Sequence, residues 1–142
     1  MSVAVENSIL SRLRGNVLSR VVESENATDT GIAMPFLVVS FCAPVRAAGD
    51  HGLVNSRNDT KIGSVVVRVV SDTAESARQV RDKVVYWLEG WSPANSGELL
   101  LEMGIGTDNA TPTTKPTRFY QTIGFTYRTN LKWVGEPPTP QP

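Results

Sequence analysis

Ile9, Leu10, Leu13, Val17, Leu18 and Val21 recur at three- and four-residue spacing, with Arg12, Arg14, Ser19 and Arg20 between them. That period predicts an amphipathic helix over residues 5–22. Gly15 in its middle costs about 1 kcal/mol relative to alanine. The polar stretch 23–31 ends the pattern. After Met34-Pro35, residues 36–45 are apolar almost without a break, which predicts a strand covered on both faces. Residues 46–63 are rich in Gly, Asn, Asp and Ser and predict a long loop, drawn as a β-hairpin with a mobile tip. Residues 64–70 carry five valines around Arg68 and predict a strand. Asp72-Thr73-Ala74-Glu75 resembles a capping box, with Asp72 as the N-cap and Glu75 reaching back. The helix it opens places Ala77, Val80, Val84, Trp87 and Leu88 on one stripe, and Gly90 is its expected C′ residue.

Two further strands are predicted at 97–106 and 117–129. In the second, Phe119, Ile123, Phe125 and Tyr127 fall on one face, and Arg118, Thr122, Thr126 and Arg128 on the other. At this length it would reach about 40 Å, past the needs of one core. Gly104-Ile105-Gly106 is taken as turn punctuation at the end of the strand before it. The expected fold is α+β: an antiparallel sheet of about four strands with two helices packed on one face, in the order α-β-β-α-β-β. One domain spans 1–135 with a long loop at 46–62, and 136–142 is a Pro-rich extended tail.

Composition narrows the function. The 142 residues carry 14 acidic and 14 basic side chains, balanced in both halves, which excludes a polybasic nucleic-acid binder. Zero net charge gives little protection against self-association, which suits a protein that assembles. A single cysteine, Cys42, allows no intramolecular disulfide and is expected to be a small buried hydrophobe. No apolar window approaches the ~18 residues of a membrane span, and the first residues lack a basic flank followed by an apolar run. The expected place of synthesis is a bacterial cytoplasm, and the Asn-x-Thr triplets at Asn26, Asn58 and Asn109 are expected to be chance matches.

Catalytic chemistry finds little support. The sole histidine, His51, lies in Gly49-Asp50-His51-Gly52 without a nucleophile motif and is expected to be an exposed loop residue. One His and one Cys fall short of a metal-ligand set. No GxGxxG joins a strand to a helix, and no GxxxxGK[ST] occurs, so no metal or cofactor is expected. Glu98 and Glu102 share a strand face, as i and i+4 must, and are expected to be solvated. Trp87 and Trp91 should cover the edge of the core. Trp133, between the last strand and the prolines, is a candidate interface aromatic.

The helix at the N-terminus, the strand after Met34-Pro35-Phe36, the 64–70 strand running into the 73–89 helix, and the closing segment Arg118-Phe119-Tyr120-Gln121-Thr122-Ile123-Gly124-Phe125-Thr126-Tyr127-Arg128 form a pattern of order and length. It resembles that of the tail terminator (tail-completion) proteins of phages with long, non-contractile tails, the lambda-type group. The resemblance covers residues 5–130 and departs in the 46–63 loop and the Pro-rich tail. It implies a structural virion protein without enzymatic activity, in which six copies form a ring on the end of the tail tube. That ring would stop tube polymerisation and join the tail to the head side. The implied partners are other copies of the chain, the major tail tube protein and a head-side neck or stopper protein. Genome DNA would pass through the lumen without specific binding. Candidate interface residues are Arg68, Arg118, Arg128 and Trp133, with His51, Arg57 and Lys61 from the loop. Arg118 and Arg128 alternatively pair with Glu98 or Glu102 as solvated sheet arginines. Two other functions stay open: a different neck component (a head–tail connector or stopper), and a small-molecule-binding enzyme of the dimeric ferredoxin-like kind.

Overall fold

A computed structural model describes residues 2–23, 33–46, 60–94, 96–111 and 118–130. The first helix, α1 (Ser2–Asn16), buries Val5, Ile9, Leu10 and Leu13. It stops well before residue 22, where the spacing placed its end. The amides of Val17 and Leu18 both donate to the Leu13 carbonyl, at 2.9 and 3.1 Å, and Asn16 Nδ2 donates to the Arg12 carbonyl at 3.0 Å. Gly15 and Asn16 are weak helix formers. The β-branched pair beyond them instead forms a short strand, β1 (Val21–Glu23), parallel to Leu37–Val39. Val17 and Val21 stay in the core, so the apolar stripe is conserved while the backbone that carries it changes.

Strands β2 (Phe36–Arg46) and β3 (Thr60–Ser71) form the expected antiparallel hairpin, from Phe36↔Val70 to Arg46↔Lys61. The hairpin tip, 47–59, lies outside the described residues. A register shift between Cys42 and Val45 coincides with Pro44, which has no N–H to give to a ladder. Helix α2 (Ala74–Leu88) buries Ala77, Val80, Val84 and Leu88. Its N-cap is Thr73 rather than Asp72: Thr73 Oγ1 accepts from the Ser76 amide at 3.1 Å. Asp72 Oδ1 accepts from Ser71 Oγ at 3.4 Å, and Glu75 accepts from Gln79 rather than reaching back to the cap. The two residues are competent caps one position apart, and the extended backbone at Thr73 decides between them. Gly90, at φ +80°, takes the left-handed C′ position as expected, and its amide donates to the Leu99 carbonyl at 2.8 Å.

Strand β4 (Leu100–Thr111) does not end at Gly106. It continues through Gly104-Ile105-Gly106, with register shifts at Leu101/Met103 and Ile105/Asn109. Strand β5 (Arg118–Asn130) lies within a residue of its sequence-derived limits. The sheet is therefore five-stranded and mixed, in the order β1-β2-β3-β5-β4, rather than four-stranded and wholly antiparallel. Both helices pack on one face, where Leu37, Val39, Val65, Val67, Val69, Ile123, Phe125 and Tyr127 meet their apolar stripes in a single cluster. Helix α2 lies across β3 and β5, and α1 against α2, β1 and β2. Trp87 and Trp91 pack against the rim of this core as expected, with Arg12 over both rings at 5.1 and 4.5 Å and its Nε donating to the Trp87 carbonyl at 2.6 Å.

Strand alternation sends the other residues to the open face. The expectation that β2 is covered on both sides holds only at Phe36; Val38 and Ser40 are half-buried. Cys42 is exposed, not buried, because it shares the parity of Phe36, Val38 and Ser40 rather than that of Leu37 and Val39.

Glu6 of α1 is held above the ordinary carboxylate value of 4.5, first by partial burial and then by the negative charge of Glu23 on β1. The folded chain thus binds this proton more tightly than the unfolded chain does. The resulting stabilisation is complete below pH 4.5 and is lost as the pH rises through the raised value. Glu6→Gln is expected to be more stable than the parent at pH 7 and indistinguishable from it near pH 3.5 (roughly a unit below the carboxylate range). Urea midpoints at the two pH values test this, and equal differences at both would refute it.

Candidate assembly surface

The open face is a set of transverse rows fixed by strand register. One row runs Phe36, Val70, Tyr120; the next runs Val38, Arg68, Thr122; a third runs Cys42, Ser64, Thr126, Leu100. Arg68 is exposed and lies over the Tyr120 ring at 5.7 Å. Arg118 and Arg128 share this face, as their even spacing requires, but at opposite ends of β5. Arg118 is only 8% exposed, with its guanidinium 5.7 Å from the centre of the Phe36 ring. This corrects the solvated picture of Arg118. Its pairing with Glu98 or Glu102 is excluded too, because Arg118 stands opposite Thr111 while Leu100 stands opposite Thr126. Eight residues of strand, about 26 Å, separate those two rows.

Arg128 is exposed and does lie beside both glutamates. With Ile62, Leu100 and Thr126 they line an open cleft of about 350 Å³, in which Thr126 Oγ1 donates to Glu102 Oε1 at 3.1 Å. Lys61 is half-buried at the hairpin end, opposite Arg46 on one side and Thr129 on the other. His51, Arg57 and Trp133 lie outside the described residues. The structure thus brings Arg128, Glu98 and Glu102 together and sets Arg118 apart from them.

The lateral edge of the sheet at β4 went unnoticed in the sequence. Leu100 is 44% and Leu101 41% exposed, one on each face of that strand. Neither helix lies over β4 as α2 lies over β3 and β5. Three consecutive leucines, 99–101, carried the signal: in a strand they cannot all face one core, and only Leu99 is buried. The opposite side is also open in part, since β1 pairs only with Leu37–Val39 and no described strand continues along that outer side of β2 beyond Val39. Unpaired N–H and C=O groups along such edges are templates for another chain. Among the described residues no three His, Cys, Asp or Glu side chains gather as metal ligands, and no helix is long and apolar enough to cross a membrane.

No protein-family model matches the chain, and no curated protein matches it. Among solved structures it is similar to a chain in the virion of the native gene transfer agent (GTA) particle, with a TM-score of 0.62 and 16% sequence identity. The match covers 89% of this chain and 95% of the other. At that identity the likeness is one of fold, and it spans nearly the whole of both chains.

Proposed function

We propose that this chain is a structural protein of a phage-like virion, and within it the tail terminator. Six copies would close into a ring on the end of the tail tube, halt its growth and present a surface to a head-side neck or stopper protein. One observation carries the reading: the fold is shared, over nearly the whole of both chains, with a chain found in a gene transfer agent virion. Element order and length, which resemble the tail terminators, supply the finer assignment. The surface supports it further. Its most exposed strand leucines lie at a sheet edge, which is material for contacts between copies rather than for binding a small molecule.

In this reading the ring acts by occupying the last tube subunits' binding surface with a protein that offers none of its own for further tube growth. Genome DNA crosses the lumen without being held. The balanced charge of the chain suits that, because every retained phosphate contact would add affinity that slows transit.

Native mass spectrometry and negative-stain electron microscopy of the purified chain, with and without tail tubes, test the proposal. The expected result is a six-copy ring with a central hole that caps tubes and arrests their lengthening. Monomers or dimers alone, even with tubes present, would overturn it. Rings of another symmetry that leave tube length unchanged would point to a connector or stopper instead.

A further inference from the structure

We draw no further inference here: the strongest candidate, the open cleft between the start of β4 and the end of β5, sets Glu98, Glu102 and Arg128 around the apolar Ile62 and Leu100, and nothing in the structure shows what would fill it.

Discussion

Gly63→Ala is expected to destabilise the fold by about 3 kcal/mol, the upper part of the range for overpacking a core. Gly63 of β3 stands opposite Tyr127 of β5 on the helix-covered face, and the tyrosine ring lies directly over it. A Cβ at Gly63 would run into Tyr127 Cζ and Oη and would come within 2.7 Å of Cε2. The ring cannot swing clear, because Tyr127 is 1% exposed and wedged in the core cluster. Tyr127→Phe removes only the hydroxyl, which has no hydrogen-bond partner among the described residues, and leaves Cζ and Cε2 in the way. It should not rescue the alanine variant. Tyr127→Leu lacks all the colliding atoms and should recover part of the loss despite the cavity it leaves. Urea unfolding of the four proteins measures the coupling, and simple additivity of Gly63→Ala with Tyr127→Leu would refute the clash.

Arg118→Glu should cost a comparable amount, about 3–5 kcal/mol, because it places a carboxylate where a buried cation now sits against Phe36. Arg118→Met, which keeps the apolar stem, should cost clearly less. Arg128→Glu, at the exposed end of the same strand, should stay within about 0.5 kcal/mol of the parent. That difference decides how the two arginines can be used. Loss of assembly in Arg128→Glu reports on an interface, whereas the same loss in Arg118→Glu reports first on folding. Thermal or urea unfolding settles it: a folded Arg118→Glu within 1 kcal/mol of the parent (roughly the size of a surface effect) would mean the burial is not felt.

Much of this architecture was legible because its patterns are of one kind. Along β5 the buried Gln121, Ile123, Phe125, Tyr127 and Thr129 alternate with the more open Thr122, Thr126 and Arg128 and with the side-chain-less Gly124, and a period of two needs no knowledge of partners to be read. The stripe of α2 is legible for the same reason. What failed needed tertiary information. Val17, Leu18 and Val21 fit a helical stripe, and only the availability of Leu37–Val39 as a ladder partner turns Val21–Glu23 into a strand. Gly104-Ile105-Gly106 looks like a stop in isolation, yet lies beside β5, which carries the strand through.

The surface was legible by direction and not by depth. Parity put Arg118 and Arg128 on one face, but nothing local says that Phe36 lies under one of them. Likewise the exposure of Leu100 and Leu101 follows from β5 inserting between β3 and β4. Strand order of that kind is written in long-range pairing and not in any window of residues.

That insertion also dictates when the fold can exist. An interior strand of the sheet is the last one made: β5 pairs Ser71 with Phe119 and Thr60 with Asn130, so β3 emerges from the ribosome long before its partner. Closing such a loop is an entropic cost met before any ladder forms, which slows folding relative to chains with local pairings. In the interval, the nascent chain presents the hairpin of β2 and β3 with one flank of Val65, Val66, Val67, Val69 and Val70 unzipped. A half-made sheet of this composition is prone to pair with its own kind, so orderly production depends on β5 arriving before a second copy does.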